Sequence, residues 1–219
     1  MNRVDRYRTP LRRALSTAGC ALLIMACGGG DSITEPVVRA GEDDFSSNTI
    51  SRYRASSDGG DPWAIREGRL IGDGQGIQSV LIRDDEALES GWVETRTSYA
   101  DDAGLVLGYR DNENYYLFTF RDDSAPDPRG VRNLAVYQRM DGRFFEVWTK
   151  DVNWPRGVER TFRLELRGDR LRVFMNGHLM ADGPVHPNGG KGFGLRHYGA
   201  SGGWQNRFES FRWEIRDGD

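Results

Sequence analysis

Residues 103–122 read AGLVLGYRDNENYYLFTFRD, and the reading of this stretch decides the fold. Two apolar runs, 103–109 and 115–120, are rich in Leu, Val, Tyr and Phe. Between them stand Asp111, Asn112, Glu113 and Asn114. Two β-prone runs joined by a short polar segment predict a β-hairpin. Asn and Asp suit such a turn because they tolerate left-handed backbone and hydrogen-bond their own main chain.

The same pattern recurs on both sides. Upstream, 63–72 reads as strand, turn and strand around Glu67-Gly68, followed by strands at 77–82 and 91–100. Downstream, 131–140 and 144–150 flank Asp141-Gly142, and 161–167 and 171–175 flank Gly168-Asp169. Asn176-Gly177 turns the chain into 178–181, Asp182-Gly183-Pro184 breaks it, and strands at 192–198 and 208–215 close it. Residues 84–90 are a charged connection with room for one helical turn. Roughly a dozen short strands without an amphipathic helix predict an all-β fold, a two-sheet antiparallel sandwich. Alternation assigns Leu134, Val136, Phe145, Val147, Phe162, Leu164, Leu166, Leu171 and Val173 to the core.

The N-terminal segment is of another kind. Residues 1–13 carry Arg3, Arg6, Arg8, Arg12 and Arg13 against Asp5, and an apolar run, 14–26, ends at Cys27. A basic head and a short apolar run predict a secretory signal. A membrane-spanning helix needs about 20 apolar residues, more than this run holds. Leu23-Ile24-Met25-Ala26-Cys27 resembles the bacterial lipobox, with Met25 as the departure. That resemblance implies cleavage before Cys27 and lipid on its thiol; the alternative is a plain cleaved signal. The expected organisation is a lipoprotein signal peptide at 1–26, lipidated Cys27 with a Gly-rich tether at 27–41, and a sandwich domain at 42–219. Location follows as the cell envelope, on the periplasmic or cell-surface side. Cys20 would leave with the signal, so the mature chain has no second cysteine for a disulfide. Loss of 1–26 leaves 25 basic and 32 acidic side chains, a net of −7 against −3 for the whole chain. An acidic domain argues against nucleic acid or an anionic membrane surface as partner, and leaves the lipid as the membrane contact.

Seven pieces occur in order: Glu42-Asp43-Asp44-Phe45; Trp63 with Glu67-Gly68-Arg69-Leu70; Ala103-Gly104-Leu105-Val106-Leu107; Asn114-Tyr115-Tyr116-Leu117-Phe118; Arg170-Leu171-Arg172-Val173 with Asn176-Gly177; Gly192-Phe193-Gly194-Leu195; and Phe208 with Phe211. In that order the chain resembles the concanavalin A-like lectin/glucanase superfamily, especially its laminin G-like bacterial domains. The resemblance implies a jelly-roll sandwich with a concave face that often binds carbohydrate. Catalysis occurs in only some members, so the fold does not settle function.

Candidate sites follow from residue types. Tyr137, Arg139, Glu146, Trp148 and Lys150 alternate on two strands joined by one turn. Aromatic platforms interleaved with donors and acceptors suit sugars, which present C–H faces and hydroxyl rims. Trp154, Tyr198 and Trp204 are expected to add to the rim from loops. The leading expectation is therefore non-catalytic binding of carbohydrate or glycoconjugate. The alternatives are a structural or protein-interaction lipoprotein with an envelope protein partner, and a glycan-active hydrolase. Hydrolysis needs two carboxylates. The Glu-x-Asp-x-x-Glu segment of the superfamily's glucanases is missing, and Glu146 and Glu165 are the acids left on the relevant strands. Glu42, Asp43 and Asp44 offer oxygens suited to a structural Ca²⁺. His178, His186 and His197 lack metal-site spacing.

Overall fold

Three two-residue turns have positive φ at both positions: Glu67-Gly68 (54° and 68°), Asp141-Gly142 (48° and 77°) and Asn176-Gly177 (50° and 77°). Such turns match the right-handed twist of the strands they join. The computed structural model describes residues 37–123, 133–199 and 205–217. The expected signal peptide, Cys27, the tether as far as residue 36, and Trp204 lie outside the described residues.

The strands are β1 (Val37–Asp43), β2 (Arg54–Ser57), β3 (Trp63–Arg66), β4 (Arg69–Gly72), β5 (Gln78–Arg83), β6 (Gly91–Thr97), β7 (Ala103–Asp111) and β8 (Asn114–Phe120). They continue as β9 (Leu134–Met140), β10 (Arg143–Lys150), β11 (Arg160–Arg167), β12 (Arg170–Met175), β13 (His178–Pro184), β14 (Gly192–Tyr198), β15 (Asn206–Phe208) and β16 (Ser210–Asp217). One turn of 3₁₀ helix, Ile50–Arg52, was not expected, and the charged connection at 84–90 is not helical.

All strand pairs are antiparallel and build two main sheets. One sheet runs β1-β16-β6-β11-β12-β13, the other β10-β9-β8-β7-β14-β5-β2, and β15-β4-β3 form a small third sheet. Residues 37–41, read as tether, are the first five of the seven residues of β1, whose backbone pairs with β16 from Val37 opposite Asp217 onward. Asp182-Gly183-Pro184 forms the last three residues of β13 rather than a break before its end, because that strand lies at a sheet edge, where proline costs no ladder bond.

The core lies between the two main sheets. Phe120 stacks on Phe162 at 4.3 Å between ring centroids, and Trp154 closes on Phe162 at 5.0 Å. Two residues assigned to that core are not in it: Phe145 is 47% exposed and Val147 36% exposed. The register of β10 on β9 shifts between Glu146 and Trp148, so Val147 is an extra, unpaired residue. A bulge of this kind reverses which face the following residues point to.

Candidate functional site

The face of the seven-stranded sheet turned away from the core holds a second apolar cluster: Val80, Ile82, Val106, Tyr109, Tyr115 and Leu117, with Tyr137 packed against it. Its burial has a local origin in the β7–β8 hairpin. Gly108 adopts a φ of 58°, and the pairing of β7 with β8 is irregular between Leu107 and Asp111. Beyond Gly108 the hairpin leaves the plane of the sheet. Asn112 Nδ2 at its tip donates to Ser56 Oγ on β2 at 2.6 Å, and Gln78 Nε2 on β5 donates to Tyr115 Oη on β8 at 3.3 Å. β14 and β5 stand between β7 and β2, so in a flat sheet those strands would be about 14 Å apart. The hydrogen bonds exist because the sheet rolls and the hairpin tip lies across its own face.

The tip is locked from within. Asp111 Oδ1 accepts from Glu113 N at 2.9 Å and Asn114 Nδ2 at 2.8 Å, and Tyr109 Oη donates to Asn112 Oδ1 at 2.7 Å. Burial pulls the Asp111 carboxyl up, but the bonds from Asn114, Glu113 and Arg110 outweigh it, and the group titrates below the usual carboxylate range. The neighbouring β9–β10 turn leans on the same tip, with Gly142 N donating to Glu113 O at 3.1 Å and Asp141 N to Asn114 Oδ1 at 3.2 Å.

Between tip and sheet edge lies a cleft of about 220 Å³, with Ser56, Asp58 and Gln78 on one side and Asn112, Glu113, Tyr115 and Arg139 on the other. Arg139 Nη1 donates to Tyr115 Oη at 3.2 Å and its Nε to Gly142 O at 3.4 Å. Its guanidinium lies 4.9 Å from the Phe144 ring centroid and 5.7 Å from that of Tyr115. Arg139, Asp58 and Glu113 form no salt bridge among the described residues. The Tyr115 hydroxyl accepts from both Gln78 and Arg139, which leaves its proton to donate. Aromatic rings continue outward: Tyr109 stacks on Tyr115 at 5.9 Å, and Phe144 meets Tyr137 edge-on at 5.8 Å. The arrangement offers a cation, two carboxylates, an amide and a hydroxyl over an aromatic floor.

The expected aromatic strip is split. Tyr137, Arg139 and Glu146 share the outer face, since Glu146 pairs with Tyr137. Past the Val147 bulge, Trp148 pairs with Val136 and Lys150 with Leu134, both core residues, so they take the opposite parity. Trp148 packs against the core edge and Lys150 is exposed at the strand end. Trp154, expected at the rim, is fully buried, with its indole Nε1 donating to Val158 O at 2.6 Å. Tyr198 shares the outer face through its pairing with Gln78 and lies beside Arg196, whose guanidinium is 5.4 Å from its ring.

The acidic candidates separate as well. Asp43 is buried and accepts from Phe45 N at 2.9 Å and Tyr53 Oη at 3.2 Å, whereas Glu42 and Asp44 point to solvent. Alternating burial at the end of β1 and just beyond it therefore divides the three expected calcium ligands, and no metal-holding cluster of three acids or histidines forms among the described residues. Glu165 lies on the outer face of the six-stranded sheet, 3.7 Å from Arg172, so it and Glu146 occupy opposite outer faces of the sandwich.

Sequence reasoning missed Asp58, Gln78, Asn112, Glu113 and Tyr115 as lining residues. The signal lay in Gly108, a glycine inside an otherwise apolar strand, which marks a close approach or bend.

No protein-family model matches the chain, and no curated protein does. Solved structures do. A carbohydrate-binding module, CBM66 from Bacillus subtilis, matches with a TM-score of 0.55 at 14% identity, over 74% of this chain and 91% of that one. A Bacillus licheniformis β-glucanase matches with a TM-score of 0.57 at 9% identity, over 80% and 97%. The carbohydrate recognition domain of Emp46p, in metal-free form, matches with a TM-score of 0.56 at 10% identity, over 78% and 93%. The fold is a concanavalin A-like jelly roll. At these identities the likeness concerns the fold alone, and among the matches are both binding modules and an enzyme.

Proposed function

We propose that this jelly roll is a non-catalytic carbohydrate-binding domain, held at the cell envelope by lipid on Cys27. The observation that carries the reading is Arg139, a guanidinium with no acidic partner among the described residues, fixed by Tyr115 and Phe144 in the lining of a polar cleft. Unpaired donors beside aromatic rings are what sugar hydroxyls and C–H faces require. Asp58 and Glu113 supply acceptors in the same cleft. The shared fold with carbohydrate-binding modules and a carbohydrate recognition domain supports this reading. Hydrolysis draws no support from Glu146 and Glu165, which lie on opposite faces. A protein-docking role draws on a different place, the sheet edge where Phe145 and Val147 of β10 are exposed.

The test is a screen of the purified full chain in detergent micelles against a polysaccharide panel, wild type beside Arg139→Met. Binding to one glycan class that Arg139→Met loses supports the proposal. Binding that the variant keeps moves the site elsewhere, and no binding across the panel turns attention to the exposed sheet edge and a protein partner.

A further inference from the structure

Resting on the carbohydrate reading, we infer that the cleft takes the neutral end of a glycan chain, one or two terminal sugar units, rather than a stretch of its interior.

A groove for chain interior must be open at both ends, so that sugar units continue before and after those bound. This cleft is crossed twice. The Asn112–Ser56 hydrogen bond of 2.6 Å and the Gln78–Tyr115 hydrogen bond of 3.3 Å each join its opposite walls. Behind Asn112 the wall is doubled. Tyr109 holds the Asn112 amide at 2.7 Å, and the Arg54 guanidinium lies 5.6 Å from the Tyr109 ring, itself fixed by Asp84 at 2.7 Å. A chain cannot pass beneath these bridges without breaking them. Asp58, Glu113 and Arg139 complete the polar lining of the cleft. The volume agrees: about 220 Å³ falls short of the roughly 300–1,000 Å³ of sites that enclose drug-sized ligands.

The chemistry of the lining points the same way. A terminal unit carries a free hydroxyl where an internal unit carries its linkage to the next sugar. Asp58 and Glu113 accept hydrogen bonds, Arg139 donates them, and Tyr115 retains a proton to donate. That set is satisfied by neighbouring free hydroxyls, and an internal unit with one of them blocked leaves a partner unmatched and desolvated, which costs affinity. Two carboxylates against one guanidinium leave the lining net negative, which selects against uronate or sulfated ends.

The experiment is calorimetric titration of the full chain in detergent micelles with cello-, xylo-, malto- and fructo-oligosaccharides of two to six units, and with each parent polymer before and after limited acid hydrolysis. The expected result, in the series that binds, is an affinity flat within about threefold from two to six units and protein bound in proportion to chain ends. Asn112→Ala, or Ser56→Ala where the first variant does not fold, removes one bridge and is expected to raise the binding of the longest members over the dimer. An affinity that climbs about tenfold or more with length, or protein bound in proportion to polymer mass, overturns the inference while leaving carbohydrate binding in place. No binding in any series overturns both.

Discussion

The two outer faces of the sandwich are built to different rules. On the six-stranded sheet, charge answers charge. Glu94 is held by Arg163 at 2.7 Å and Arg212 at 3.4 Å, Arg172 sits 3.7 Å from Glu165, and Arg170 pairs with Asp182 at 2.8 Å. Arg163 also lies 4.0 Å from the Trp92 ring centroid. On the seven-stranded sheet, Arg139 has rings and carbonyl or hydroxyl oxygens as partners, and Asp58 and Glu113 beside it form no salt bridge among the described residues. A face whose charges are mutually satisfied is finished, whereas one with donors and acceptors left over around aromatic rings is arranged for something else. Aromatic content alone does not separate them, since Trp92 serves the paired face.

The sharpest way to break this contrast is through the interior that the two faces share. Trp154→Ala is expected to destabilise the domain by about 3–5 kcal/mol, the usual range for a fully buried aromatic. Chemical denaturation reads this directly. A loss under about 1 kcal/mol, coupled to weaker glycan binding, would return Trp154 to the binding face.

Acid comes next. His197 is buried, and Asn206 fixes its tautomer. The Asn206 Oδ1 accepts from the backbone N–H of Asp101 at 2.7 Å and of Asp102 at 3.2 Å, so its Nδ2 donates to His197 Nδ1 at 2.8 Å. The ring is then neutral, with Nε2–H directed at Gly74 O at 3.3 Å. Burial, with Arg196 nearby, pushes its pKa down to about 4. Between pH 6.5 and 4 the unfolded chain binds a proton that the folded chain refuses. Stability is therefore full above pH 6.5 and falls by about 3 kcal/mol as the pH drops to 4. His197→Gln should flatten that part of a stability–pH curve; an unchanged slope would mean that other groups set it.

Arg139→Met tests the open face itself. We expect glycan affinity to fall about 10- to 100-fold, the worth of a hydrogen bond to a charged donor, with a stability change below about 1 kcal/mol. Similar losses in binding and stability would make Arg139 a fastening of the hairpin rather than a ligand contact. The smallest effect belongs to the finished face. Arg212→Met on the partly exposed Glu94 network should cost at most about 0.5 kcal/mol and leave glycan binding unchanged. A clear loss of binding would show the two faces to be less different than their charge pairing suggests.

Much of the architecture was legible because its signals are local. Glu67-Gly68, Asp141-Gly142 and Asn176-Gly177 announce their turns in two residues each, and the strands between them alternate clearly. The candidate site was harder, because two small irregularities decide it. Val147 inserts one residue into β10, and both parities there carry large apolar side chains, Phe144 and Trp148 on one and Phe145 and Val147 on the other, so the alternation does not mark where the switch falls. Trp148 and Lys150 were carried to the wrong side by that one residue. Gly108 lets the central hairpin cross its own sheet, and a contact between Asn112 and Ser56, 56 residues apart, has no local pattern to announce it. The place of Arg139 on the outer face was legible because its pairing with Phe144 precedes the bulge.

The bulge has one more consequence. β10 is the outermost strand of its sheet and shows Phe144, Phe145 and Val147 to solvent. A straight edge carrying that run would be a template on which further chains could assemble. Val147 interrupts the ladder in the middle of the strand, and Arg143, Glu146 and Lys150 space charge along it. Deleting that one supernumerary residue is expected to straighten β10 into a more adhesive edge, read as self-association by light scattering.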